Sequence, residues 1–220
     1  MGSYRQYCPV ARASEILAER WSLLVVRNLL FGATTFTEIA RGVPHMSRSM
    51  LARRLRELER DGILVATPKP NGQGSTYALT AAGRDLGEVI DSLGRWATTW
   101  VDVRPEHTDP GFALWAWCQV QLDRDALPAG RTVVAFTFPD EKPANRRFWL
   151  LVEDGDAELC YQDPGGEPGL RVTARSRAFV DWHRGALDWR DALDAGAITV
   201  HGRAPLARAF PSWNRRPATA

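Results

Sequence analysis

Ser47-Arg48-Ser49-Met50-Leu51-Ala52-Arg53-Arg54-Leu55-Arg56-Glu57-Leu58-Glu59-Arg60-Asp61-Gly62 is the stretch on which the reading of this chain turns. Wound as a helix at about 100° per residue, it brings Leu51, Leu55 and Leu58 within roughly 60° of one another, a stripe fit for burial. Ser49, Arg53, Arg56 and Arg60 then lie near the opposite side, and Arg48 and Arg54 flank the stripe. Ser47 is placed to cap the start. Residues 41–60 hold six arginines against two acids, Glu57 and Glu59. Such a surface attracts a polyanion, but charge alone specifies nothing. A solvated amphipathic helix would look the same in isolation, so its neighbours decide.

Upstream, Thr35-Phe36-Thr37-Glu38 has the form of a capping box, in which Thr35 caps while Glu38 reaches back. A short helix through Ile39 and Ala40 stops at Gly42-Val43-Pro44. Two short helices around a tight turn, the second rich in arginine, fit a helix-turn-helix. Further upstream, Cys8-Pro9 opens a helix carrying Ala13, Ile16 and Leu17. Trp21-Ser22 breaks that pattern, with Ser22 the candidate N-cap of a helix ending near Phe31-Gly32. Downstream, Ile63–Thr67 and Ser75–Leu79 flank a turn rich in Pro, Gly and Asn, which predicts a hairpin. A hairpin directly after a recognition-type helix reads as a wing. Its tip offers Lys69, Asn71 and Gln73 to a phosphate backbone or minor groove. Thr80 then caps a long helix with Leu86, Val89, Ile90, Leu93, Trp96, Ala97 and Trp100 at helical spacing. One small domain cannot easily bury so long a stripe, so part of it is expected against a second subunit.

The 220 residues divide near Val103. Arg104-Pro105-Glu106-His107-Thr108-Asp109-Pro110-Gly111 is polar, with two prolines and a glycine, and reads as a linker over 104–111. Residues 1–103 carry 13 Lys/Arg against 10 Asp/Glu, and residues 104–220 carry 15 against 16. The overall +2 therefore resolves into +3 and −1. The most apolar run, Leu23 to Leu30, is broken by Arg27 and Asn28, so no membrane span is expected. No secretory pattern stands at the N-terminus. Cys8, Cys118 and Cys160 are too few and scattered for a disulfide scaffold, which favours a reducing, cytoplasmic setting.

Residues 8–101 resemble the HxlR-type (MarR-like) winged helix-turn-helix transcriptional regulators. The resemblance rests on Cys8-Pro9-Val10, Glu19-Arg20-Trp21-Ser22-Leu23-Leu24-Val25-Val26-Arg27, Phe36-Thr37-Glu38-Ile39, the opening stretch Ser47 to Gly62, and Tyr77-Ala78-Leu79-Thr80-Ala81-Ala82-Gly83. It implies a homodimer, associating through the N-terminal helix and the helix over 81–101, that places residues 47–56 in the major groove of double-stranded DNA. The family usually carries a more acidic or aromatic wing strand than this glycine-rich one. Arg53 and Arg56, with Ser49 beside them, are the expected base readers, because a guanidinium can make paired bonds to guanine. Arg48, Arg54 and Lys69 are the expected phosphate contacts, and Thr37, Ser47, Asn71 and Gln73 complete the candidate DNA surface. Some relatives sense oxidants through a cysteine near Cys8. Here that residue reads either as such a thiolate at a helix start or as a small packing residue.

The second region predicts a helix over 112–124, strands over 131–138, 148–152, 157–161, 170–174 and 198–200, and helices over 176–184, 188–196 and 205–210. That order gives an α+β sandwich with helices on one face of a sheet. It resembles the sterol-carrier-protein type 2 superfamily, most closely over Gly185–Gly202. The resemblance implies a cavity for an apolar molecule, lined by Trp115, Phe136, Phe148, Leu150, Phe179, Trp182 and Trp189. Aromatic core residues are needed in a domain of this size regardless. His183, His201 and Cys160 match no zinc spacing, and neither a phosphate loop nor a nucleophile elbow is present. No catalysis, metal or cofactor is therefore expected.

The fold expected is thus α+β in two domains, a winged helix over 1–103 and a sterol-carrier-like domain over 112–220. The function expected is a dimeric regulator on a pseudo-palindromic operator, open to modulation by an apolar ligand. The alternative is an apolar-ligand carrier whose winged helix serves dimerisation or protein contact.

Overall fold

Pro9 supplies the φ angle that the first turn of α1 (Pro9–Leu17) needs, and Cys8 sits at its N-cap. The computed structural model describes residues 3–70 and 72–215, and the chain divides between Asp102 and Val103 into two units. In the first unit, α1 is followed by α2 (Ser22–Leu30), α3 (Phe36–Arg41), α4 (Arg48–Arg60), β1 (Leu64–Pro68), β2 (Ser75–Leu79) and α5 (Ala81–Trp100). Its core is aliphatic: Val25 and Val26 of α2, Ile39 of α3, Leu51, Leu55 and Leu58 of α4, and Leu64 of β1 are all buried. Burial of each such side chain is worth about 1.5–3 kcal/mol, which is what binds these short helices together.

Ser22 does not cap α2 as its sequence position suggested. Trp21 is the N-cap, at φ 79° in the left-handed region, and Ser22 is the first helical residue with its side chain buried. The tight turn out of α1 forces this. Trp21 packs its ring against the core and takes the unusual backbone angle, while the Arg20 guanidinium lies over that ring at 4.9 Å.

The second unit runs through a single turn of 3₁₀ helix at Pro105–His107 into α6 (Pro110–Ala116), which continues as a π-helical turn, Trp117–Gln121. The helix expected over 112–124 therefore starts two residues earlier and changes its winding midway. Asp109 caps it, accepting from Phe112 N–H at 2.7 Å, and Pro110 suits its first position. There follow β3 (Thr132–Thr137), β4 (Arg147–Glu153), β5 (Asp156–Cys160), β6 (Leu170–Ala174), α7 (Ser176–His183), α8 (Trp189–Asp194), β7 (Ile198–Gly202) and α9 (Ala204–Ala209). A 3₁₀ turn, Phe210–Trp213, follows α9.

The five strands lie in the order β5-β4-β3-β6-β7, with β3 and β6 parallel and the other pairs antiparallel. Register decides which side is inside. Val134 pairs with Leu150 and Leu170, Phe136 with Phe148 and Val172, and Leu150 with Leu159. All of these are buried, so they share the face that the helices cover. On the other face Trp149, Leu151 and Thr173 are half-buried, and Arg171 and His201 are exposed. Burial is thus heaviest on one side of the sheet, as an α+β layer arrangement requires, with Val133 the buried residue on the other.

Candidate nucleic-acid interface

Polar contacts hold both ends of α3, the helix that leads through the turn into α4. Thr35 accepts from Glu38 N–H at 3.3 Å, and the Glu38 carboxylate accepts from the N–H groups of Thr34 and Thr35 at 2.7 and 3.0 Å. Burial works to raise the Glu38 pKa, but the hydrogen bonds from Thr34 and Thr35 together outweigh it and hold the group below its ordinary value. At the far end of α3, Asn28 donates from Nδ2 to the Ile39 carbonyl at 2.9 Å, and Arg27 donates to the Gly42 carbonyl at 2.8 Å and to Asn28 Oδ1 at 2.9 Å. Burial pushes the Arg27 pKa down to about 10. These two residues were not among the candidates read from sequence. Their signal in the sequence is a charged and an amide residue that break the apolar run of α2.

Ser47 caps α4, accepting from Met50 N–H at 3.3 Å. Arg48, Ser49, Arg53, Arg56 and Arg60 are exposed, while Leu51, Leu55 and Leu58 face inward. Thr37 of α3 and Ser47 are exposed as well. The Arg48 guanidinium stands over the Phe36 ring at 4.9 Å. Arg53 pairs with Glu57 at 3.1 Å, a solvent-exposed i,i+4 pair that a phosphate or base could displace at little cost.

Arg54 corrects the sequence reading. Its side chain is 5% exposed and bridges Glu57 of its own helix at 2.7 Å and Glu19, just beyond α1, at 3.3 Å. It ties the back of α4 to the start of the unit and offers no charge to a phosphate. The helical wheel placed it beside the leucine stripe. What the wheel could not show was that Glu19 meets it there.

The wing is anchored to the helix it follows. Ala66 N–H donates to the Glu59 carboxylate at 3.1 Å, and Tyr77 N–H donates to the Thr34 carbonyl at 2.7 Å. β1 and β2 pair in register from Leu64–Leu79 to Pro68–Ser75. At the tip Gln73 is exposed, Lys69 is half-buried, and Asn71 lies outside the described residues. After the wing, the α5 stripe emerges from the unit: Val89 is 45% exposed, Leu93 46%, Trp96 58% and Trp100 74%.

In the second unit, the residues expected to line a cavity are drawn together as packed core. Phe136 and Phe179 lie 5.9 Å apart between ring centroids, Phe179 and Trp182 5.5 Å, and Trp182 and Trp189 4.9 Å. Trp115, Phe148 and Leu150 are buried too, and Trp189 is half-buried. The hub was missed. Trp117 meets Phe136, Phe179, Trp182 and Phe210 at 5.9–6.2 Å. Its place on a π turn, which alters the helical phase, hid it from a 3.6-residue pattern.

Among the described residues, no group of three or more His, Cys, Asp or Glu side chains is placed to hold a metal. His201 is exposed on β7 and Cys160 lies on β5, at opposite edges of the sheet. His183 is buried on α7, where burial, with the Arg184 charge adding to it, pushes its pKa down to about 4. Burial pushes the Cys118 thiol up to about 11, which makes it unreactive. Cys8 is half-buried. No helix among the described residues is long and apolar enough to cross a membrane.

A capped two-helix motif, an outward cationic face and a tethered hairpin define the first unit as a winged helix-turn-helix domain. The HxlR-like helix-turn-helix family matches residues 16–105. The chain is 35% identical over 99 residues to the HTH-type transcriptional regulator YvaP of Bacillus subtilis, spanning 44% of this chain and 92% of that protein. It is 39% identical over 100 residues to the HTH-type transcriptional regulator Rv3095 of Mycobacterium tuberculosis, spanning 44% of this chain and 61% of that protein. The structure of the reduced form of the transcriptional regulator YodB from B. subtilis is 31% identical, with a TM-score of 0.38, over 44% of this chain and 97% of that one. The chain belongs to the HxlR-like helix-turn-helix family.

Proposed function

We propose that this protein is a transcriptional regulator that binds a pseudo-palindromic DNA operator as a homodimer, with α4 in the major groove. The observation that carries the reading is the outward face of α4, where Ser49, Arg53 and Arg56 stand exposed above a buried leucine stripe. Arg53 and Arg56 read bases, Ser49 stands beside them, and Arg48, Lys69, Gln73, Thr37 and Ser47 hold the sugar-phosphate backbone. One helix touches too few bases for useful specificity. Two copies about one helical turn apart, roughly 34–36 Å, supply it.

The exposed stripe of α5, with Val10 of α1 73% exposed, supports dimerisation through those two helices. The five-stranded sheet with helices on one face supports a sterol-carrier-like second domain, which we assign to sensing a small molecule. A ligand there would act by changing the relative population of operator-competent dimers. The cytoplasm is the compartment that fits such a role.

Titration of binding to duplex DNA from upstream of the protein's own gene, at increasing salt, tests the DNA reading. Affinity should fall steeply, with a log–log slope of about −0.9 for each phosphate contacted, and the duplex should be preferred over random sequence. Arg53→Glu should weaken binding roughly a hundredfold and reduce the preference, since it removes a bidentate donor and adds a repelled charge. A shallow slope without preference would instead mark the carrier reading.

A further inference from the structure

Both outer edges of the wing are bonded, and one of the bonds comes from a side chain of α4. Lys69 N–H donates to the Gly74 carbonyl and Thr80 N–H to the Ile63 carbonyl, each at 3.0 Å. In the alternating ladder that these bonds and the register fix, Ala66 and Tyr77 are a non-hydrogen-bonded pair, so their N–H groups point away from the hairpin. Tyr77 N–H donates to the Thr34 carbonyl at 2.7 Å, and Thr35 forms an antiparallel bridge with Thr76. The residues leading into α3 therefore lie along the β2 edge. On the β1 edge it is a carboxylate, Glu59, that accepts from Ala66 N–H, at 3.1 Å. Pro68, the next outward position on β1, has no N–H to offer.

Glu59 is exposed on a helix whose outward face is cationic, and it is one of two acids among residues 41–60. The other, Glu57, is engaged by Arg53 and Arg54 of its own helix. Glu59 faces the wing instead. Its charge is felt at Tyr77 of β2, where burial raises the phenol pKa, Glu59 adds to the rise and Arg56 opposes it.

We propose that Glu59 is a positioning residue that locks the wing to α4, so that helix and hairpin meet DNA as one rigid body. The proposal rests on the DNA-binding reading and adds to it a residue that touches no DNA. A carboxylate on a surface meant for phosphates repels them, so by charge alone its removal strengthens binding. The latch predicts the opposite sign. Without it the hairpin is held along the β2 edge alone, and ordering it on the duplex costs binding free energy. Lys69 and Gln73 at the tip then lose their hold on the backbone, while the outward face of α4 is unaltered.

Three variants of the full-length protein separate charge from reach. Glu59→Gln removes the charge and keeps an acceptor, Glu59→Asp keeps the charge on a side chain one methylene shorter, and Glu59→Ala removes both. In the free protein, hydrogen exchange at the Ala66 amide, followed by NMR, should quicken about tenfold in the Ala and Asp variants and stay near wild type in the Gln variant. On duplex DNA from upstream of the protein's own gene, the Ala and Asp variants should bind about tenfold more weakly. Their log–log salt slope should be shallower by about 0.9 for each wing contact to phosphate that is lost. Glu59→Gln should bind as tightly as wild type or more so. Lys69→Ala should weaken the wild type and do much less in the Glu59→Ala background. Unchanged exchange at Ala66 in Glu59→Ala, tighter DNA binding by that variant, or a full Lys69→Ala effect within it overturns the proposal. A loss of stability alone would lower the folded fraction and leave the salt slope and the Lys69→Ala effect as they were, which also refutes the latch. Should Glu59→Ala fail to fold, Glu59→Asp gives the same readings. If the wild type shows no preference for the duplex, the DNA-binding reading fails, and the exchange measurement still decides whether Glu59 holds the wing.

Discussion

The two units spend their aromatic residues in opposite ways. In the first, the core is made of Val25, Val26, Ile39, Leu51, Leu55 and Leu58, while Trp96 and Trp100 stand out from α5. In the second, Trp117, Trp182, Trp213, Phe136, Phe138, Phe148, Phe179 and Phe210 are all buried below 2% exposure. An aliphatic core has no polar atoms to satisfy, so a small helical unit built on one can send its arginines and indoles outward. An aromatic core encloses more volume per residue but brings indole N–H groups inside, where each needs a partner. The first unit therefore presents its chemistry on its surface and the second holds its chemistry within.

The largest effect that would sharpen this contrast is expected at Phe179, which meets Phe136, Phe138, Trp117 and Trp182 at 5.5–6.1 Å. Phe179→Ala should cost about 3–5 kcal/mol in the unfolding of the second unit, measured by urea titration. Operator affinity should persist wherever the first unit stays folded. Parallel loss of both would break the division of labour between outward and inward chemistry.

Arg54 is the exception on the first unit's side, a charge turned inward. Arg54→Met leaves Glu57 without its 2.7 Å partner and should destabilise the first unit by about 2–3 kcal/mol, less than for a fully buried pair because Glu19 is 42% exposed. Arg53→Met, on the outward face, should change stability by less than about 1 kcal/mol. If the two variants unfold alike in a denaturant titration, the inward role of Arg54 is refuted.

Arg54 also shows what could be read from the chain and what could not. Helical period and cap residues carry α3, the turn, α4 and the wing almost to their true limits, because these depend on neighbours within a few positions. Thr35, Ser47 and Thr80 cap where expected, accepting from Glu38, Met50 and Gly83 N–H. Arg54 and Asn28 depend on partners 35 and 11 residues away, Glu19 and Ile39, which no local pattern reports. Trp21 took the N-cap from Ser22 because packing its ring outweighed a side-chain cap. In the second unit the alternation of β3 and β4 was legible, since one face is buried. Trp117 was not, because a π turn moves its side chain off the 3.6-residue phase.

His183 tests the inward side of the comparison through pH. Its imidazole is held near 4 in the fold against about 6.5 unfolded, so the unfolded chain binds the extra proton between these values. Stability is thus unaffected by this residue above about pH 6.5 and falls as pH drops toward 4, by about 2 kcal/mol at pH 5. His183→Phe should flatten that part of the stability profile. A profile unchanged by the substitution would mean that the buried imidazole is not what titrates.

The smallest expected effect lies at Gly42, and it asks whether the outward face depends on the buried contacts beneath it. Gly42 has φ −81°, an angle any residue adopts, so its backbone needs no glycine. Space does: a β-carbon there would meet the Asn28 carboxamide, which is itself buried and bound to the Ile39 carbonyl. Gly42→Ala should therefore cost about 1–2 kcal/mol by pushing Asn28 off its acceptor. Because that bond closes the end of α3, operator affinity should fall further than the stability loss predicts. Adding Asn28→Ala removes the obstruction as well as the bond, so the double variant should be less damaged than the two single losses added together. Simple additivity would mean that Gly42 and Asn28 act separately, and that the presentation of α4 rests on its own cap and stripe alone.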